Sequence, residues 1–478
     1  MSYQVPQHID KNKIFIVKRS EIEGRLDPSI YKDSFTFISN IYTNINLKEI
    51  AYINPNTSFS SLSLREDDEV SFIPMEFVNP IDGIVSKLGK KKVKETKGFT
   101  KFLENDLLWA KITPCMQNGN SAIVRNLTNG CGCGSTEFFV IRPKTTNIMI
   151  EYIHYILHSE KIRQTAQNYF GGSAGQQRVP VSFLQNLPIP LPPISVQKNL
   201  VKIITDAKNN KIKKEAEAQK LLDSIDGYIL NELGITLPQS DSCNNRKIFI
   251  LNKSELSNRY DPYYFQDYFK ISFEEINKCS YPIKTIKELS SLITSGITPK
   301  SGGDAYTEDQ INGIPFIRSG NIDINGKLDF ADLLYLRPEI HNTTMKSSQV
   351  KKEDLLIAIV GATIGQVGIY LDEREANINQ AIALVRLKSG INVQYVKELI
   401  KSSVGQLSLN RLKRPVARAN INLEEISTIK IPLSPLAKQQ EIADHITALR
   451  HQAAQLQQEG KDALEKAKQE VEQMILGK

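Results

Sequence analysis

An internal repeat constrains this chain more than any other feature. The string KIFIVKRSEIEGRLDP, Lys13–Pro28, returns as KIFILNKSELSNRYDP, Lys247–Pro262, at an offset of 234 residues. DLLWAKI (Asp106–Ile112) is answered by DLLIAIV (Asp354–Val360). LPIPLPPISVQ (Leu187–Gln197) is answered by IKIPLSPLAKQ (Ile429–Gln439), now at an offset of 242. Landmarks in one order with slowly drifting spacing describe a duplicated unit with loop insertions. A chain of 478 residues is long for one core, and its length alone suggests two to four domains.

Both copies end alike. Pro188, Pro190, Pro192 and Pro193, and then Pro432 and Pro435, forbid helix and predict an extended segment. A proline-free stretch follows in each. Leu200, Ile204, Ala207, Lys211, Lys214, Ala218, Leu221 and Ile225 recur in steps of four and three, and so do Ile442, Ile446, Leu449, Ala453, Leu456, Gly460, Ala463 and Ala467. Such a period makes a coiled-coil seam on two helices of about 35 residues each. Their equal length and matched seams favour mutual pairing over packing of each on its own domain. Lys211 and Lys214 weaken the first seam.

The globular parts read as mixed α/β (α+β). Strands are predicted at Ser121–Val124, Glu137–Ile141, Leu355–Val360 and Ala381–Leu387. Turns are predicted at Asn118-Gly119, Asn129-Gly130, Gly302-Gly303 and Asn325-Gly326. The organisation expected is a domain over 1–195, a long helix over 196–236, a second domain over 237–437 and a last helix over 438–478.

Catalytic signatures are missing. No GxxxxGK[ST] loop occurs; Gly361–Gly368 carries Gln366 where a lysine is needed and reads as a tight turn beside a strand. Pro192-Pro193 sits between Leu191 and Ile194, not in the [DNS]-P-P-[YFW] string of amino-methyltransferases. Phe170–Gly175 is a weak echo of a cofactor loop. Cys131 and Cys133 are too close for a zinc arm. Asp82, Glu95 and Lys97 faintly resemble a nuclease set, but Glu95 lies in a lysine run that reads as a loop. The six histidines form no nucleophile–base pattern. Five irregularly spaced cysteines imply no disulfide framework, and Met1–Lys13 lacks the apolar core of a signal peptide, so a reducing cytoplasm is expected. No stretch reaches the roughly 20 apolar residues of a membrane span.

The net charge of +7 is modest, so its distribution matters. Ser86–Lys101 holds Lys87, Lys90, Lys91, Lys92, Lys94, Lys97 and Lys101 against Glu95 alone, which is either a solvated loop or a phosphate-contacting one. Lys161–Ser182 and Ser403–Asn422 occupy equivalent positions without one acidic residue. They supply Arg163, Gln164, Gln176, Gln177 and Arg178 in one copy and Arg411, Lys413, Arg414, Arg418 and Asn420 in the other. Arg, Gln and Asn make two-point contacts to guanine and adenine edges. Thr294–Ile322 adds Thr298, Lys300, Arg318, Ser319 and Asn321.

These strings resemble a known family. GITPKSG at Gly296, GIPFIRSGNI at Gly313, GATIGQVGI at Gly361, NQAIALV at Asn379 and IPLSPLAKQQEI at Ile431 are similar to type I restriction–modification specificity subunits. The first half matches through RLDP, STEFFVIRP (Ser135–Pro143), GQQRV and PIPLPP. The resemblance implies two tandem target-recognition domains, each followed by a long helix, with the helices paired as an antiparallel coiled coil. It implies a non-catalytic chain that reads a bipartite site on double-stranded DNA and docks two methyltransferase subunits, with restriction subunits joining in some assemblies. S-adenosylmethionine, ATP and Mg would then belong to partners, and no cofactor, metal or membrane to this chain. The first half lacks the GxTP turn, which predicts an asymmetric target. The competing readings are a protein-binding coiled-coil adaptor and a stand-alone methyltransferase or nuclease.

Overall fold

The computed structural model describes residues 37–171, 176–239, 250–252, 256, 261–300, 303–413 and 420–477. The first repeat landmark, 13–28, lies outside them. The chain divides into two compact units, Met1–Lys213 with Glu459–Lys478, and Lys214–Gln458.

In the first unit the chain runs through β1 (Asn44–Asn46), β2 (Ala51–Ile53), β3 (Glu69–Ile73), β4 (Gly89–Lys92), β5 (Thr100–Leu103), β6 (Leu107–Ala110), β7 (Ser121–Ile123), β8 (Cys131–Gly134) and β9 (Phe138–Pro143). Then come α1 (Ile150–His158), α2 (Glu160–Gln167), β10 (Pro188–Pro190) and the first half of α3 (Ile194–Leu233). One sheet has the order β2-β9-β6-β7 and the other β4-β3-β8-β5. The run LLWA makes β6 apolar on both faces, and all four residues are buried, as a central strand requires. Trp109 stacks on Phe139 at 6.3 Å and donates Nε1–H to the Leu157 carbonyl at 3.2 Å. α1 buries Tyr152, Ile153, Ile156 and Leu157, the helical face spacing, to cover this core. In β8 a side chain at Gly134 would come within 2.2 Å of the Ile73 carbonyl, so glycine allows the parallel β3–β8 pairing. The two cysteines of this strand, Cys131 and Cys133, point into a small core with Phe59 and Val70.

The second unit repeats the plan with β11 (Ile283–Thr285), β12 (Ser290–Ser295), β13 (Ile314–Ile317), β14 (Leu334–Leu336), β15 (Gln349–Val350), β16 (Leu355–Ala358), β17 (Val367–Ile369), β18 (Ala376–Ile378) and β19 (Ile382–Leu387). α4 (Val393–Lys401), α5 (Ser403–Leu412), β20 (Lys430–Pro432) and the first half of α6 (Leu436–Leu476) follow. One sheet is β12-β19-β16-β17; the other is β14-β13-β18-β15 with the short strand Tyr306–Thr307 beside β14. The four strand windows read from the sequence all fall on strands.

The extended proline segments pair antiparallel with the first strand of their own unit, β10 with β1 and β20 with β11. A two-stranded ribbon tolerates prolines that a central strand would not. At each junction with a long helix one glutamine holds three backbone groups or two. Gln197 donates to the Pro192 and Asn147 carbonyls at 2.8 and 2.9 Å and accepts from Met149 N–H at 2.9 Å. Gln439 donates to Ser434 O at 2.7 Å and accepts from Asn392 N–H at 3.0 Å. Tyr152 and Tyr395 likewise donate to Pro190 O and Pro432 O at 2.9 and 2.7 Å.

α3 and α6 run for 40 and 41 residues, longer than the expected 35. In the first unit Leu200 and Ile204 of α3 share a core with Ala467, Val471 and Ile475 of α6. In the second, Ile225 and Ile229 share one with Ile442 and Ile446. The start of one helix therefore lies with the end of the other, and the pair is antiparallel. Gly460 is buried against Lys211, where a side chain would stand 3.2 Å from the lysine Cα, so the seam lysine meets the one glycine of α6. The last carbonyls of α6, Ile475 and Leu476, accept from Ser39 Oγ–H at 2.6 Å and Asn40 N–H at 3.0 Å, which satisfies groups a helix end leaves open.

A small hairpin is also repeated. Val78–Asn79 pairs with Ile84–Val85, and Ile322 bridges Leu328. Gly83 and Gly326 turn with φ of +66° and +79° over His154 of α1 and Lys397 of α4 respectively. Each turn leaves an isoleucine in solvent, Ile81 and Ile324, both 78% exposed.

Candidate nucleic-acid interface

The lysine run is not a loop. Gly89–Lys92 is the edge strand β4, paired with β3 in the register Lys91↔Val70. Strand alternation sorts its cations. On one side Lys90 pairs with Glu69 at 2.7 Å, and Lys92 and Lys94 meet Asp67 at 3.3 and 2.7 Å. Lys94 and Lys92 hold the Asp67 carboxyl below its usual range, and Asp67 raises Lys94. On the other side Lys91 lies over the Phe72 and Phe99 rings at 4.8 and 5.3 Å, and Lys87 stands 5.5 Å from Phe77. Charged edge strands also resist pairing with other sheets. The nuclease-like set has other work: Glu95 accepts Lys92 N–H at 3.0 Å, and Asp82 accepts from Asn79 Nδ2–H at 2.9 Å. Burial pushes the Cys133 thiol up to about 11, in keeping with a packing role.

The polar segment 176–178 is brought to the end of β6. Arg178 bridges Ile112, Val179 N–H donates to Lys111 O at 2.9 Å, and Thr113 N–H donates to Gln177 O at 3.0 Å. Lys111 N–H donates to Glu137 O at 2.9 Å, which draws in the turn between β8 and β9. Arg178 donates Nε–H and Nη2–H to the two oxygens of Glu137 at 2.9 and 2.8 Å, and Nη1–H to Gln176 O at 3.2 Å. The guanidinium holds the Glu137 carboxyl below its usual range. Beside this pair opens a cleft of about 430 Å³ whose polar lining includes Asn56, Thr57, Thr100, Lys101, Lys111 and Thr136. Lys101 lies 4.8 Å over Phe59 and Lys111 5.5 Å over Phe139. Lys101 belongs to the lysine run, whereas Lys111 and Thr136 stand out in the sequence only as members of the DLLWAKI and STEFFVIRP strings.

In the second unit the same backbone plan recurs with different side chains. Asn420 bridges Val360, Ile421 N–H donates to Ile359 O at 3.0 Å, and Ile359 N–H donates to Ala381 O at 2.9 Å. Thr298 reaches the same sheet end, where its hydroxyl is hydrogen-bonded to Gln380, and Lys300 is exposed nearby in sequence. Arg414 and Arg418 lie outside the described residues.

Several residues read as ligand-facing are built into the fold instead. Arg163 donates to His158 O at 3.2 Å and to Gln117 O, and burial lowers its pKa. Arg411 packs its guanidinium 4.0 Å over Tyr264 and 5.2 Å from Phe273, with Nε–H on Tyr264 O at 3.0 Å. Asn321 is 6% exposed, accepts Arg318 N–H at 2.9 Å and donates to Asp329 O at 3.3 Å, closing the Ser319–Asn321 turn. Arg318 itself reaches Asp332 O and Oδ2 at 2.8 and 3.1 Å. A half-buried cation or amide must find acceptors, and here the nearest are the protein's own. Gln164 bonds Glu160 at 2.9 Å on the exposed face of α2, and Lys413, just past the end of α5, bonds Asn410 at 2.8 Å. Gln406, aligned with Gln164 in the repeat, instead ties Ile400 O and Gly365 O at 3.0 and 3.1 Å.

Two units that repeat one plan of paired mixed sheets and helices, and that differ in side chains at their polar sheet ends, define a duplicated two-domain α/β protein. Residues 41–222 and again 281–466 match the type I restriction modification DNA specificity domain, and the chain belongs to that family. The EcoEI specificity subunit of Escherichia coli is 38% identical over 158 residues, 33% of this chain and 26% of that one. The EcoAI specificity subunit, also from Escherichia coli, is 34% identical over 198 residues, 41% of this chain and 33% of that one. The matches thus span about a quarter to a third of those two relatives. The putative MjaX specificity subunit of Methanocaldococcus jannaschii is 23% identical across 82% of this chain and 83% of its own. A solved chain from work on complex assembly and conformational transition of the type I R-M system has the same fold, with a TM-score of 0.55, 16% identity, and coverage of 92% of this chain and 97% of that one.

Proposed function

We propose that this chain is the specificity subunit of a type I restriction–modification complex and that each unit reads one half of a bipartite, asymmetric DNA site. The observation that carries this reading is a contrast between the units. Sheet order, glutamine clasps and helix pairing repeat. The side chains at the sheet ends do not: Arg178, Glu137 and Lys111 in one unit stand where Asn420, Ala381 and Ile359 stand in the other. A repeated scaffold suits identical partners, and a divergent polar surface suits two different half-sites.

In this reading residues 1–195 and 237–437 are the recognition domains, and 196–236 and 438–478 are the helices that space them. Two methyltransferase subunits dock on the repeated scaffold. The exposed Ile81 and Ile324 turns, alike in both units, fit two copies of one protein better than two unlike DNA half-sites. S-adenosylmethionine belongs to those subunits, and ATP and Mg to restriction subunits where they join. The chain itself is a non-catalytic member of the complex, working in the cytoplasm. Among the described residues no group of three His, Cys, Asp or Glu is placed to hold a metal, and no helix is long and apolar enough to cross a membrane.

Co-expression with the methyltransferase subunit, followed by genome-wide mapping of methylated adenine, tests the reading. A bipartite asymmetric motif is expected. An adaptor that binds only proteins would give no motif and no salt-dependent duplex binding. A stand-alone enzyme would methylate or cleave without the partner.

A further inference from the structure

We infer that Arg178 reads a guanine in the major groove and that Glu137 is the positioning residue that aims it; this rests on the specificity-subunit reading above. A guanidinium carries five N–H groups. Three are engaged: Nε–H and one Nη2–H on Glu137 at 2.9 and 2.8 Å, and one Nη1–H on Gln176 O at 3.2 Å. One N–H remains on each terminal nitrogen, a pair matched to two acceptors side by side, as O6 and N7 of guanine present them. The side chain as a whole is 42% exposed.

Two further observations separate base reading from the bland alternatives. The pair is close to charge-neutral, which suits a neutral base edge better than a phosphate, while Lys101 and Lys111 line the adjoining cleft and can meet the backbone. The same backbone arrangement also forms around a different pair of residues in the second unit. The second unit forms the same bridge between Val360 and Asn420 and the same hydrogen bond from Ile359 to Ala381 with an asparagine and an alanine where the first unit has Arg178 and Glu137, and its clasps at Gln439 and Tyr395 are kept. A device that held the sheet end together would be expected in both.

The test uses the full chain co-expressed with its methyltransferase subunit, methylome mapping, and binding of the purified complex to synthetic duplexes of the motif so found. With Arg178→Ala one guanine position in one half-site loses its preference by roughly ten-fold or more, while the other half-site is unchanged. Arg178→Lys keeps the charge and still relaxes that position. Glu137→Gln relaxes the same position to a smaller degree. A 7-deazaguanine there weakens binding by the wild-type complex and adds nothing to the loss in Arg178→Ala. The inference is overturned if Arg178→Ala leaves every position intact or weakens all sequences equally, with the melting temperature of each variant reporting whether it folds. If the wild-type complex yields no motif, the specificity-subunit reading itself fails, which is a different outcome.

Discussion

Asp106 and Arg142 form the same two-point ion pair that Asp354 and Arg386 form in the other unit. Arg142 Nε and Nη2 reach the carboxylate of Asp106 at 2.7 Å each, and Arg386 reaches that of Asp354 at 2.8 and 2.6 Å. Each aspartate is 1% exposed and also accepts a backbone N–H at 2.7 Å, from Leu103 and Lys351 respectively. Each pair ties β6 to β9 or β16 to β19 at the edge of the core. The DLL that opens the strings DLLWAKI and DLLIAIV is thus a structural signature, and its aspartate has a partner the sequence does not reveal.

Removing one partner of such a pair strands the other. Asp106→Ala and Asp354→Ala are each expected to cost about 3 kcal/mol, by the loss of a buried, doubly bonded charge. Chemical denaturation followed by tryptophan fluorescence, for which Trp109 is the only tryptophan, reports the first unit directly. A change below about 1 kcal/mol would contradict the assignment.

The Gln197 clasp makes a more local prediction. Its amide satisfies the Asn147 and Pro192 carbonyls and the Met149 N–H. Gln197→Ala should destabilise by about 2 kcal/mol and raise hydrogen exchange at Met149 before it does so in β6. Uniform acceleration would mean that the junction is not a separate weak point.

His154 and His158 sit 5.4 Å apart, sharing Ser121 Oγ at 3.2 and 3.1 Å. Burial, reinforced by the mutual pair and Lys208 for His154 and by Lys208 and Arg163 for His158, lowers them from 6.5 to about 3 and about 4. A histidine kept neutral in the fold is protonated more readily when unfolded. The unfolded chain therefore binds more protons below pH 6.5, and stability falls as pH drops from there toward 4, by up to about 1.4 kcal/mol per pH unit for each ring. His158→Gln should flatten this slope in denaturation measured between pH 7 and about 4.5. An unchanged slope would place the acid sensitivity elsewhere.

Lys91 should act without regard to sequence. Lys91→Ala is expected to weaken all duplexes alike and to lower the slope of log affinity against log salt by about 0.9, one phosphate contact. A loss confined to one base position would instead make it a reader.

Much of the fold was legible because its signals are local. The seams of α3 and α6 and the strands at Phe138–Pro143 or Ile382–Leu387 follow from spacing alone. β4 was misread because lysines occupy both faces of an edge strand and erase the alternation that marks a strand. The candidate surface was harder still. Asn56, Thr100, Lys111 and Thr136 come from separate segments and meet only when two sheets close on each other. Arg163 and Arg411 have the composition of DNA-contacting residues, but composition does not say which way a guanidinium faces, and theirs turn inward.

The central claim is that a repeated scaffold carries two independent readers. Its most direct test is to replace residues 11–195 with the corresponding domain of another specificity subunit, co-express the chimaera with the methyltransferase subunit, and map methylated adenines. One half of the motif should change and the other remain. If both halves changed, or neither did, the two units could not be separate readers.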